Sequence, residues 1–191
     1  MSRDRQDALD CFAAVLRYPD PDYLRRTREC LRTGPSEVTP LLEDFVQRLQ
    51  PLSLHQLEEL FLQTFDLNPV CSLEVGWHLF GENYDRGLLL VRIRQELARC
   101  GVPESSELPD HLTHVLGLLG RMPQEPAADF AAAVVLPALA KMLEAMHGKE
   151  NPYENLLEAI RRSLHLFFPE IPASASQTSA LRVLPEGALV R

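Results

Sequence analysis

Three dipeptides, Asp20-Pro21, Thr39-Pro40 and Asn151-Pro152, constrain this chain more than any other feature. Each sets a residue able to cap a helix before a proline suited to the first helical position. There the missing N–H leaves nothing unpaired and the fixed φ is already helical. Ser53 with Gln56 adds a capping box, and Asn151 with Glu154 a weaker variant of it. No run of alternating apolar and polar residues bounded by hairpin turns competes with these helix starts, so the fold class is all-α.

Helical periodicity then lays out the elements. The spacing predicts helices over 5–17, with Leu9, Phe12, Ala13 and Leu16 on one face, over 21–31, and over 40–49, closed by Pro51. A fourth over 54–65 aligns Leu54, Leu57, Phe61 and Phe65. After the turn Asp66 to Pro69, a short helix near 72–80 carries Leu73, Trp77 and Phe80, and Gly81 breaks it. A long helix over 84–100 follows, then one over 109–120 with Leu112, Val115, Leu116 and Leu119 inward. The segment 125–147 is apolar on most sides, which marks a central buried helix kinked at Pro137. The last helix, 152–168, shows a stripe of Tyr153, Leu157, Ile160, Leu164 and Phe167. The expectation is a single compact helical bundle of about eight helices, one domain over 1–168. A Ser-, Ala- and Pro-rich segment, 169–191, reads as a mobile C-terminal tail in which Leu181, Val183 and Leu184 are the residues able to dock.

At 191 residues the chain can bury a substantial core without staples. Its net charge of −8 and pI of about 5.2 exclude nucleic acid as a main partner, because phosphate contacts need clustered Lys and Arg. The charged N-terminus lacks the apolar core of a signal peptide. The longest apolar run, 130–140, falls short of the roughly 20 residues that span a bilayer. A cytoplasmic protein without stable membrane insertion is therefore expected. Cys11, Cys30, Cys71 and Cys100 form no closely spaced pair, so no thiol metal framework is expected, and disulfides would require an oxidising compartment.

Catalytic signatures are missing. The chain has no G-x-S-x-G elbow, P-loop or G-x-G-x-x-G. Glu107, Asp110, His111 and His114 form the one cluster with metal-ligand character. A helical di-iron site needs two Glu-x-x-His pairs and two more carboxylates, and only one Glu-x-x-His, Glu144 to His147, occurs here. Read alone, His78 is a core or edge histidine that Glu74 can hold at i,i+4, and Trp77 is a core aromatic. The reading is a protein without enzymatic activity, metal or cofactor.

Charge distribution says more. Residues 49–85 carry Glu58, Glu59, Asp66, Glu74, Glu82 and Asp85 and no Lys or Arg. Residues 100–120 add Glu104, Glu107 and Asp110, again without a cation. If the two regions face each other, they form an acidic patch bordered by Phe61, Phe65, Trp77, Phe80 and Tyr84. Such a patch suits a basic, partly apolar peptide, although a solvated acidic face would read the same way.

The string TFDLNPVCSLEVGWHLFGENYDRG, Thr64 to Gly87, resembles the nitrate-reductase delta-subunit (NarJ-like) branch of the TorD/DmsD/NarJ chaperones. ELPDH, Glu107 to His111, is similar to the Glu…Pro-Asp-His signature of that family. The likeness covers roughly residues 5–168. It implies an all-helical cytoplasmic chaperone devoted to a molybdoenzyme of the dimethyl-sulfoxide-reductase type, in the service of nitrate assimilation or a related metabolism. Such a chaperone binds the N-terminal segment of the catalytic subunit, often a twin-arginine leader or its remnant. It holds the apoenzyme for insertion of the molybdenum cofactor, with cofactor-insertion proteins as further partners, and acts as a monomer or domain-swapped dimer. Carried onto this chain, the resemblance places Glu107, Pro109, Asp110 and His111 on the peptide-binding face. Trp77, His78, Phe80 and Gly81 line or support the same groove, and Tyr84 joins Trp77 and Phe80 in taking the apolar part of the peptide. Glu107 and Asp110 would pair with leader arginines, and replacing Asp110 and His111 by Ala would weaken binding without unfolding. The alternative readings are a helical small-molecule- or metal-binding protein, with or without catalytic activity, and an interaction or regulatory domain unrelated to molybdoenzymes.

Overall fold

The computed structural model describes residues 2–170 and Leu184. Among them lie nine helices and no strand. These are α1 (Ser2–Val15), α2 (Tyr23–Thr33), α3 (Thr39–Leu49), α4 (Leu54–Phe61), α5 (Val75–Phe80), α6 (Tyr84–Arg99), α7 (Leu112–Arg121), α8 (Gln124–Met146) and α9 (Tyr153–Phe167). The all-α expectation holds, and each predicted helical segment, the short one near 72–80 included, has its counterpart. The expected tail, 169–191, lies outside the described residues apart from Pro169, Glu170 and Leu184, and Leu184 is buried.

The predicted faces are those that pack. Leu9, Phe12, Ala13 and Leu16 of the first helical segment are buried, as are Leu112, Val115, Leu116 and Leu119 of α7. Each such large side chain contributes roughly 1.5–3 kcal/mol relative to exposure. Helix α1 lies along α7 and α2, while α3 packs against α2 and α9. Helix α8 runs against α5, against a 3₁₀ turn at Pro69–Cys71 and against α9. With its 23 residues it is long and apolar enough to cross a membrane, a length the 130–140 run did not convey. It is the core helix, with 56% of its most apolar window buried.

Helix starts differ in detail from the sequence reading. The capping box of Ser53 and Gln56 forms. Asp20 instead accepts the Asp22 N–H at 2.8 Å and pairs with Arg26, so α2 begins at Tyr23, two residues past the proline. At α9 the Asn151 carbonyl oxygen of the side chain accepts the Tyr153 N–H at 3.0 Å. Glu154 does not complete a box there; it faces His147. Helix α4 ends in a π segment, Leu62–Asp66, and α8 contains a second, Ala131–Val135, just before Pro137. Proline removes an N–H and crowds the carbonyl four residues earlier, and a widened turn accommodates both while the helix stays continuous.

Candidate functional site

Two short backbone segments build the site. Glu74 is extended just before α5, and His111 is extended just before α7. They pair antiparallel: the Val75 N–H donates to the Asp110 carbonyl at 2.9 Å and the Leu112 N–H to the Leu73 carbonyl at 2.8 Å, an isolated bridge centred on Glu74 and His111. The segment Thr64 to Gly87 and the Glu107 to His111 motif, about 20 residues apart in sequence, are thus stitched side by side.

This bridge lies on a cleft of about 1000 Å³. Helix α1 and its exit supply Asp10, Ala13, Leu16 and Tyr18, and the end of α4 supplies Phe61, Phe65 and Asp66. Pro69, Glu74, Trp77 and Arg86 follow, then the loop 102–108 and, at α7, His111, His114 and Gly117. Trp77 is half-buried on the wall, its indole N–H donating to the Pro69 carbonyl at 3.0 Å and the Arg86 guanidinium lying 5.7 Å from its ring centre.

Asp110 is inaccessible and already has its cation. Arg86 Nε donates to it at 3.1 Å, at the opening turn of α6. Its carboxylate fits only because residue 76 is glycine: a Cβ there would stand 2.6 Å from Asp110 Oδ2. The structure therefore gives Asp110 an internal arginine, where the sequence reading gave it an incoming one. Burial has a physical logic here, since a carboxylate cut off from water requires a partner within the fold.

His111 caps α7. Its Nδ1 accepts the Thr113 hydroxyl at 2.7 Å and the Thr113 N–H, which leaves Nε2–H as the ring's donor at the cleft. Burial, with His114 close by, pushes its pKa down to about 4, so the ring is neutral at pH 7. His114 is bonded on both sides. Its Nδ1–H donates to the Leu108 carbonyl at 2.9 Å and its Nε2 accepts the Ser105 N–H at 2.9 Å, which pins the 102–108 loop to α7.

Charge at the cleft is negative and only partly compensated. Asp10 is held by Arg121 and Glu104 by Arg94. Among the described residues Asp66, Glu74 and Glu107 form no ion pair. Burial raises the pKa of Asp66 and of Glu74, and for Glu74 the neighbouring Asp110 charge adds to it. Glu74 accepts a hydrogen bond from the Ser72 hydroxyl and does not reach His78, whose Nε2–H donates to the Ser72 carbonyl at 2.7 Å.

Of the residues expected at the site, Trp77, Glu107 and His111 line the cleft. His78, Phe80, Gly81 and Pro109 are outside the cleft lining, with His78 and Pro109 buried, Phe80 packed on the core and Gly81 ending α5 at φ +56°. Tyr84 lies outside the cleft lining and is 77% exposed. Sequence reasoning missed Asp10, Tyr18, Leu108 and Arg121; α1 joins the cleft only through its packing on α7, which no local pattern encodes. The arrangement offers carboxylates, the exposed Arg17 guanidinium, one neutral histidine donor and aromatic surface, which is binding chemistry. Among the described residues no group of three or more His, Cys, Asp or Glu is placed to hold a metal.

The family described as nitrate reductase delta subunit matches this chain over residues 28–168. The chain is 26% identical over 159 residues to the nitrate reductase molybdenum cofactor assembly chaperone NarJ of Escherichia coli K12, covering 80% of this chain and 67% of that one. It is 24% identical over 194 aligned positions to the probable nitrate reductase molybdenum cofactor assembly chaperone NarJ of Bacillus subtilis, covering 97% of each.

Proposed function

Because the chain belongs to the nitrate reductase delta subunit family, we propose that it is an assembly chaperone for a molybdoenzyme, and not an enzyme itself. Its client is a nitrate reductase or a related dimethyl-sulfoxide-reductase-type enzyme, met in the cytoplasm before the molybdenum cofactor is in place. The cleft takes the N-terminal segment of the client's catalytic subunit.

The observation that carries this reading is the Glu74–His111 bridge, which brings the two motifs together on one cleft. Asp66, Glu74 and Glu107 attract a basic segment, and charge-assisted hydrogen bonds to its arginines fix register. Trp77, Tyr18 and Leu108 at the cleft, flanked by exposed Leu67 and Val70, take its apolar side chains. The His111 Nε2–H donates to a peptide carbonyl. Asp110 acts from behind, holding Arg86 against Trp77 so that the wall keeps its shape.

Affinity capture of the tagged chain from anaerobically grown cells, with mass spectrometry of what it retains, tests this. Recovery of one molybdoenzyme catalytic subunit, displaced by that subunit's own N-terminal peptide, is expected. Recovery that the peptide does not displace would refute the cleft assignment, and failure to recover any such subunit would refute the chaperone role.

A further inference from the structure

We propose that Cys11 and Cys30 form a modification site, a dithiol that a hydroperoxide oxidises to an intramolecular disulfide joining α1 to α2. The two sulfurs lie 2.6 Å apart on adjacent packed helices, with Cys30 S–H directed at the Cys11 sulfur. That is about half an ångström beyond the roughly 2.05 Å of a disulfide bond, so closure needs little movement of either helix. The pair is also asymmetric in access. Cys11 is half-buried and open to a small oxidant, whereas Cys30 is 1% exposed and meets only its neighbour.

Acid–base behaviour follows the same asymmetry. The hydrogen bond from Cys30 lowers the Cys11 pKa, and that bond together with burial raises Cys30. Burial raises Cys71 and Cys100 as well, so Cys11 is the thiol poised to react first. Its thiolate attacks the peroxide, the O–O bond breaks, and a sulfenic acid forms as an alcohol or water departs. The Cys30 sulfur then attacks the Cys11 sulfur, the S–O bond breaks, and the Cys30 proton leaves with the hydroxyl as water. Two thiols and one hydroperoxide become a disulfide, an alcohol or water, and one further water. Cys11 is next to Asp10, which holds Arg121 of α7, and shares α1 with Ala13 of the cleft. The disulfide therefore fixes the α1 side of the cleft to α2 and leaves the bridge between residues 74 and 111 untouched.

The test is peroxide treatment of the full chain, alkylation, and tryptic mapping without reductant. A linked pair of peptides, 6–17 with 29–32, released by dithiothreitol, is expected. The thermal midpoint of the oxidised chain should rise by roughly 5 °C or more. In Cys30→Ser the link is absent and Cys11 accumulates as a dimedone-reactive sulfenic acid. Conversion of Cys11 in the unmodified chain to sulfinic or sulfonic acid without the link would overturn the proposal. Links made through Cys71 or Cys100, or no reaction at Cys11, would overturn it equally.

Discussion

Asp110 shows how burial changes what a motif residue does. The family resemblance places it on a peptide-binding face, where losing it weakens binding and spares the fold. Its carboxylate is instead inaccessible, bound to Arg86 and seated over Gly76. Asp110→Ala is therefore expected to destabilise the chain by about 2–4 kcal/mol, read as a lower urea midpoint, because it strands a guanidinium and opens a void. An unchanged midpoint would contradict the structural role. His111 differs, since it both caps α7 and faces the cleft. Its folded pKa of about 4 lies below the ordinary 6.5, so the unfolded chain binds more protons between those values. Stability from this group is whole above pH 6.5 and is lost as pH falls towards 4, on the order of 3 kcal/mol in all. His78 contributes with the same sign, while the raised pKa values of Asp66 and Glu74 oppose it. The diagnostic quantity is thus the difference from His111→Asn, which keeps a capping acceptor and removes the titration. The substituted chain should lose less stability between pH 6.5 and 4, and parallel pH profiles would contradict the assignment.

At the scale of elements, local chemistry was readable at Ser53 but not at Asp20 or Glu154, which Arg26 and His147 engage instead. Ser53 and Gln56 close their box because both partners lie within one turn, and Ser53→Ala should cost about 1 kcal/mol in denaturant unfolding. The faces of α1 and α7 were legible because 3.6-residue periodicity maps directly onto burial. Pro137 announced a disturbance in α8, but whether a kink or a π turn absorbs it depends on the packing around the helix. Motif 107–111 misled at the element level: it reads as a helix start at Pro109, yet Pro109 and Asp110 form a turn closed by the His111 N–H on the Leu108 carbonyl, and α7 starts only after His111 caps it. The loop 102–108 has no pattern of its own and is ordered by His114. His114→Phe is expected to keep α7 packed while freeing the loop, seen as faster amide exchange at Ser105 and weaker peptide binding; unchanged protection would count against the tether.

On the scale of the whole molecule, the cleft belongs to no single element. Acidic stretches at 49–85 and 100–120 were visible in the sequence, and the bridge does bring them together. The contribution of α1, about 60 residues upstream of the bridge, came only from the way the bundle closes on α7. Among the described residues the cleft leaves Asp66, Glu74 and Glu107 without ion pairs, so peptide affinity should fall as salt rises. Trp77 is the sole tryptophan and stands on the cleft wall, which makes its fluorescence a reporter of occupancy. The most direct measurement is a fluorescence titration with a tryptophan-free N-terminal peptide from the nitrate reductase catalytic subunit of the same cell. A saturable, one-to-one change in Trp77 emission, weakened at least tenfold by Glu107→Lys with Leu108→Asp, is the predicted result. No change in emission, or equal affinity in the substituted chain, would contradict the account.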